Sequence, residues 1–162
     1  MLKTLLIAAL ALAAASAAQA QNAHIGTPTS PISQAVKVPA GSEMLYVSGI
    51  TPPVLNAPVP AGGTAVFGDT KTQVAGILKR IEDIMKPQGY GFGDVVMMRV
   101  FLVGDPAKAG KMDFAGMMEA YTQAFGTPAQ PNRPARITMQ ISGLVQPGML
   151  AEIEVQAAKA KK

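Results

Sequence analysis

An arginine and two glutamates lie in two neighbouring β-patterned segments, RITMQIS and LAEIEVQA. Arg136 opens the first segment, and Glu152 and Glu154 lie within the second. A guanidinium can bind a carboxylate through two parallel hydrogen bonds, and a glutamate can orient a water molecule and accept its proton. The three residues therefore indicate either a hydrolytic site for a carboxylate-bearing substrate or a salt bridge across a solvated sheet face. From the pattern alone, the salt bridge is the preferred interpretation.

Several other kinds of catalytic residue are missing from the sequence. Cysteine is absent, and the single histidine, His24, lies near the N-terminus. We therefore expect no thiol nucleophile, no metal site and no histidine-dependent triad. The basic residues are scattered and do not alternate with stacking aromatic residues, so nucleic acid is not an expected partner.

Residues 1–20 are predicted to form a secretory signal peptide. One lysine precedes an apolar run that ends in Ala18-Gln19-Ala20, a small-residue cleavage pattern. The run is shorter than the roughly 20 residues needed to cross a bilayer. We therefore expect cleavage before Gln21, no membrane association afterwards, and a periplasmic or secreted destination. The other 142 of the 162 residues, with 13 Lys and Arg against 10 Asp and Glu for a net charge of +3, suit one domain.

Hydrophobic periodicity predicts the element order β-β-α-β-α-β-β within a single domain over residues 34–158. A flexible lead-in is expected before it, over 21–33, and a basic tail after it, over 159–162. The predicted strands cover 34–39, 43–49, 94–106, 136–142 and 150–157, and the helices run from Asp69 to Pro87 and over 112–125. This order is typical of an α+β fold with one sheet and both helices on one face.

Between Val95 and Val103 the predicted strand is apolar on both faces except at Arg99. Such a strand is usually covered on both sides, and two helices can cover only one face of a small sheet. We therefore expect a further copy of the chain to cover the other face.

Short motifs in the same order along the chain resemble the Rid (YjgF-type) reactive-intermediate deaminases, also known as L-PSP endoribonucleases. The motifs are SG at 48–49, GD at 93–94, DFA at 113–115 leading into AYTQAF, PAR at 134–136 and EIE at 152–154. The resemblance extends over about residues 31–157, nearly the whole predicted mature chain.

The resemblance implies a chorismate-mutase-like α+β fold that assembles as a homotrimer with pockets at the clefts between subunits. It implies hydrolysis of enamines and imines, such as 2-aminoacrylate and its imine, to 2-keto acids and ammonia without metal or organic cofactor. Arg136 would bind the substrate carboxylate, and Glu152 would position the attacking water. Ser48, Gly49 and the backbone at Thr138 would line the same cleft.

Two positions depart from the family pattern. Ile32 stands where the family has a tyrosine, and Met118 where it has an asparagine. Both changes replace a hydrogen-bonding group with an apolar one, so the pocket is expected to accept a different ligand. Two functions stay open: an exported imine deaminase, and a non-enzymatic module that binds a small metabolite in the same cleft. Ribonuclease activity has no support in a chain with so few aromatic residues and no histidine in its predicted folded part.

Overall fold

A computed structural model describes residues 21–161. It contains six strands and two α-helices within that range, in the order β1, β2, β3, α1, β4, α2, β5, β6. Their bounds are β1 Ala23–Ile25, β2 Ala35–Lys37, β3 Glu43–Ile50, α1 Thr70–Met85, β4 Val95–Val103, α2 Phe114–Ala124, β5 Ala135–Ile141 and β6 Ala151–Lys159. From β2 onwards the order is the predicted β-β-α-β-α-β-β.

Four strands form the main sheet, in the order β3-β6-β4-β5. β6 lies antiparallel between β3 and β4, whereas the edge strand β5 runs parallel to β4. The predicted strand β2 is not part of this sheet, since it pairs with β1 in a separate two-stranded sheet. β2 is only three residues long, and the chain just before it pairs with the start of β5 through Ser33 and Ala135.

The predicted lead-in over 21–33 contains the strand β1, which the sequence analysis did not predict. The His24 ring Nδ1 lies 2.7 Å from the Arg133 carbonyl oxygen, and the Asn22 amide donates to the Ala158 carbonyl at 2.8 Å. These side-chain contacts fix a segment too short to show a hydrophobic period. His24 is therefore held against the domain and not in a free terminus.

Both helices begin at an aspartate that caps the first turn. Asp69 Oδ1 accepts from the Thr72 amide at 2.8 Å, and Asp113 Oδ1 accepts from the Gly116 amide at 3.1 Å. Such caps satisfy backbone N–H groups that have no partner within the helix. α1 continues into a short 3₁₀ turn that contains Pro87 and ends at Gly89, whose φ of 79° suits glycine.

The helices cover one face of the sheet and leave the other without a second layer among residues 21–161. On the helix face, the side chains of β4 and β6 are at most 2% exposed: Met98, Val100, Leu102, Ala151, Ile153, Val155 and Ala157. On the opposite face, here called the open face, Tyr46 is 70% exposed, Ile137 43% and Met139 42%. One apolar face of β4 is thus packed as predicted, and the other faces no element of the described chain.

Residues 1–20, predicted as a signal peptide, lie outside the described residues. No helix within residues 21–161 is long and apolar enough to span a membrane.

Candidate functional site

Arg136 lies on the helix face of β5 and reaches towards α2. Its Nη2 donates to Met118 Sδ at 3.2 Å, and its Nη1 lies 3.9 Å from Met117 Sδ. The guanidinium carbon lies 4.3 Å from the centroid of the Tyr121 ring and 5.9 Å from that of Phe114. Two thioethers and two aromatic rings therefore surround the cation and fix its plane.

The charge of Arg136 is not neutralised by any ion pair within residues 21–161. Burial lowers the pKa of Arg136, which shows that the surroundings disfavour the cation. A half-buried guanidinium whose acceptors are weak thioethers is suited to bind an anion from outside the chain.

Tyr121 forms the wall behind Arg136. Burial raises the pKa of Tyr121 to about 12, and its hydroxyl donates to the Pro31 carbonyl at 3.0 Å. The side chain is 1% exposed and stacks against Phe125. Tyr121 is therefore a neutral, fixed support for the guanidinium.

The two positions that depart from the family pattern, Ile32 and Met118, lie on the helix side of the sheet, as Arg136 does. Met118 contacts the guanidinium directly. Ile32 follows Pro31 in the chain and packs, half-buried, against the core. The next residue holds this segment against the start of β5, because the Ser33 amide donates to the Pro134 carbonyl at 3.0 Å. Of the two positions that the resemblance singled out, Met118 therefore contacts Arg136, and Ile32 packs against the core on the helix side of the sheet.

Thr138 follows Arg136 on the same face of β5. Its hydroxyl is buried and has no hydrogen-bond partner among the described residues. A buried hydroxyl without a partner is uncommon, since leaving it unpaired costs about 1–3 kcal/mol. Arg136 and Thr138 are therefore two neighbouring polar groups on β5 that lack strong acceptors.

Glu152 lies on the open face, against the Ser48–Gly49 segment of β3. The register between β3 and β6 shifts between Val47 and Ile50, so this segment forms an irregularity in the strand. A Cβ added to Gly49 would overlap Glu152 Oε1 and lie 2.9 Å from its Cδ. Only glycine at position 49 leaves room for the Glu152 carboxylate in this position. Three predicted site residues, Ser48, Gly49 and Glu152, therefore lie together on the open face.

Arg136 and Glu152 project from opposite faces of the sheet. Arg136 pairs with Met98 of β4 and Glu152 pairs with Phe101, and side chains three residues apart on a strand point to opposite sides. The salt bridge between Arg136 and either glutamate, the preferred interpretation of the pattern alone, is wrong. Instead Glu154 pairs with Arg99, directly opposite it on β4. Within one chain, the predicted site is therefore divided into two half-sites, one around Arg136 and one around Glu152.

A shallow depression of about 200 Å³ lies next to the glutamates on the open face, lined by Tyr46, Val47, Ser48, Glu154, Val155 and Gln156. A larger one, about 350 Å³, includes Gln21, Asp94 and Lys159 but none of the predicted site residues. Within residues 21–161, no three His, Asp or Glu side chains are grouped to hold a metal ion. Ser48 and Glu154 thus line an open depression on the surface of the sheet.

Comparison with known proteins was made on sequence and on structure. The family model described as Endoribonuclease L-PSP matches residues 22–159. A RutC family protein of Pyrococcus horikoshii is 35% identical over 132 residues, which cover 82% of this chain and 90% of that protein. The chloroplastic Reactive Intermediate Deaminase A of Arabidopsis thaliana is 28% identical over 126 residues, covering 78% of this chain and 56% of that protein.

Solved structures share the fold. A Yersinia pestis protein of the Rid family superposes with a TM-score of 0.64 at 21% identity, over 86% of this chain and 100% of that one. A Thermotoga maritima protein superposes with a TM-score of 0.55 at 28% identity, over 86% and 98%. The predicted α+β fold, with two helices on one side of the sheet, is confirmed.

Proposed function

Because this chain belongs to the Endoribonuclease L-PSP family, which includes the Rid and YjgF proteins, we propose that it hydrolyses a small carboxylate-bearing imine to a keto acid and ammonia. The observation that carries the proposal is the state of Arg136. Its guanidinium is half-buried, fixed by Tyr121, and without a carboxylate partner among residues 21–161. A relative of this chain, from Arabidopsis thaliana, is named a reactive intermediate deaminase.

In the proposed reaction, Arg136 holds the substrate carboxylate through two hydrogen bonds in place of its thioether contacts. Glu152 orients a water molecule and takes a proton from it as the water oxygen bonds to the imine carbon. The imine nitrogen takes up that proton, which gives a carbinolamine. The carbinolamine hydroxyl then passes its proton to the nitrogen as the carbon–nitrogen bond breaks, so that the keto acid and ammonia are released. This chemistry needs positioning and proton transfer, and its steps do not call for a metal or an organic cofactor.

The two half-sites require a neighbouring subunit in this proposal. Arg136 and Glu152 lie on opposite faces of one sheet, so a substrate touching both must lie between two copies of the chain. We propose a homotrimer whose open faces pack inside, bringing Glu152 of one subunit to Arg136 of the next. Sedimentation of the protein tests this part, and a stable monomer at micromolar concentration contradicts it.

A binding module without turnover is the second candidate. Ile32 and Met118 favour it, because both replace hydrogen-bonding groups expected beside the reacting atoms. Export to the periplasm or beyond is proposed from the pattern of residues 1–20 alone.

The discriminating experiment supplies 2-imino acids generated in place by an amino-acid oxidase. Ammonia and keto-acid release is followed with and without the protein. Release faster than the spontaneous rate supports the deaminase. Saturable binding of a 2-keto acid without faster release supports the binding module.

A further inference from the structure

The nearest side-chain acceptors to the Arg136 guanidinium are two methionine sulfurs. Nη2 lies 3.2 Å from Met118 Sδ, and Nη1 lies 3.9 Å from Met117 Sδ. A thioether accepts hydrogen bonds weakly, so the sulfur holds the guanidinium loosely and yields to a carboxylate. Any change that made this sulfur a strong acceptor would make it compete with the ligand.

The two methionines differ in access to solvent. Met117 is fully buried at 0% exposure, whereas Met118 is only partly buried where α2 packs against the core. Oxidation of methionine follows exposure, because the oxidant must reach the sulfur. Met118 is therefore the sulfur beside Arg136 that a small oxidant can reach first.

We propose that Met118 is a reversible oxidation site that switches off anion binding by Arg136. The oxidant is a hydroperoxide such as hydrogen peroxide. The sulfur lone pair attacks one oxygen of hydrogen peroxide, so an S–O bond forms while the O–O bond breaks and hydroxide leaves. The hydroxide takes the proton from the sulfur-bound oxygen, which gives the sulfoxide and water. The sulfur is oxidised by two electrons and the peroxide is reduced by two. Sulfoxide reductases reverse the change, so the modification can act as a switch.

The sulfoxide oxygen acts on Arg136 directly. It is a strong acceptor bonded to a sulfur that lies 3.2 Å from Nη2, and the Tyr121 ring centroid lies 4.3 Å from the guanidinium carbon. A hydrogen bond to a charged donor is markedly stronger than a neutral one. The guanidinium is then occupied, and a carboxylate must displace the oxygen before it binds.

This inference rests on the proposed role of Arg136 in carboxylate binding, so one readout in the test does not involve a ligand. The protein is labelled with ¹⁵N-arginine, treated with hydrogen peroxide, and mapped by peptide mass. Hydrogen exchange of the Arg136 guanidinium is measured by NMR, with the signal assigned through Arg136→Lys. Binding of 2-oxobutanoate is then titrated on the same samples.

Two variants provide the comparison. Met118→Leu removes the sulfur at similar volume, and Met139→Leu removes an open-face methionine that is 42% exposed and far from α2. Each variant is compared with its own unoxidised form, so a change in basal affinity does not matter. In wild type and in Met139→Leu, oxidation should slow Arg136 exchange and weaken 2-oxobutanoate binding by about tenfold or more. In Met118→Leu, oxidation should change neither quantity, so the ratio of oxidised to unoxidised protein should stay near one for the Arg136 exchange rate and for the 2-oxobutanoate affinity.

Three results would overturn the proposal. The first is full oxidation of Met139 while Met118 stays unmodified. The second is wild type oxidised at Met118 with unchanged Arg136 exchange. The third is the same loss of binding in Met118→Leu as in wild type. If the reduced wild type binds no 2-oxobutanoate, carboxylate binding by Arg136 fails, and the exchange readout alone decides whether Met118 sulfoxide captures the guanidinium.

Discussion

Arg136 and Glu152 lie on opposite faces of one sheet, separated by β4. Met98, the partner of Arg136, is 1% exposed beneath the helices, whereas Phe101, the partner of Glu152, is on the open face. The two residues that the proposed chemistry requires therefore cannot meet within one chain.

Arg136→Lys and Glu152→Gln should fail in different ways. Lysine keeps the charge but loses the planar two-pronged contact and the stacking on Tyr121, so KM should rise and kcat fall as well. Glutamine keeps the shape of Glu152 but cannot accept a proton. Its kcat should fall on the order of 10²–10⁴-fold with little change in KM, if Glu152 is the general base. Steady-state kinetics on an imine that the wild type hydrolyses measures both.

Glu154→Gln is the matched control for Glu152→Gln. It removes a neighbouring carboxylate of the same strand, one whose partner is Arg99. The pair is about one-third exposed, so we expect a stability loss of only ~0.2–1 kcal/mol and near wild-type kinetics. Equal kinetic losses in both variants would mean that general charge on the open face, and not the position of Glu152, supports turnover.

Gly49→Ala should displace the Glu152 carboxylate. The added Cβ overlaps Oε1, and a glutamate side chain can rotate away without disturbing the backbone. We expect a large loss of kcat with a small change in melting temperature. Gly143→Ala is the control, since a Cβ there meets no atom within 4 Å. A variant that keeps wild-type kcat would show that Glu152 need not lie over Gly49.

The double variant Ile32→Tyr and Met118→Asn restores the two hydrogen-bonding groups of the family pattern. Both positions lie on the Arg136 side of the sheet, and Met118 touches the guanidinium. Turnover of 2-aminoacrylate-type substrates should rise, because these groups can position the small polar substrate. Turnover is measured by keto-acid release, with each single variant as reference. No gain in a correctly folded double variant would contradict the view that these two positions set the ligand preference.

The cap of α1 predicts a pH dependence of stability. The hydrogen bonds from Thr72 lower the pKa of Asp69 below its usual 3.8. A lowered folded-state pKa stabilises the fold above the unfolded value, and this contribution is lost as the pH falls through the folded pKa. Asp69→Ala should cost about 1 kcal/mol at neutral pH. The difference from wild type should shrink below pH 3.8, and a constant difference across that range would exclude the cap as its origin.

All seven predicted helices and strands are present in the structure. They could be predicted because each segment shows a hydrophobic period or is bounded by a helix cap or a proline. β1 could not be predicted, because three residues are too few to show a hydrophobic period. The contacts that hold this segment come from residues far along the chain, at Arg133 and Ala158. The two-residue alternation of a strand is enough to place Arg136, Thr138 and Gln140 on one face of β5. Alternation could not show that α2 covers this face. Which face of the edge strand β5 lies under a helix depends on its pairing with β4, which lies about 40 residues earlier in the sequence. Arg99 was recognised as an interruption, but its partner Glu154 became apparent only with the register.

The most direct test of a site shared between subunits uses trimers that mix two inactive variants. Arg136→Lys and Glu152→Gln chains are co-expressed in equal amounts under different affinity tags, and mixed assemblies are isolated. If each site takes Arg136 from one subunit and Glu152 from the next, one of the three sites in every mixed trimer regains both residues. We predict imine hydrolysis near a third of the wild-type rate per site. Activity no higher than that of the two parent variants, in mixtures confirmed by both tags, would contradict the shared site.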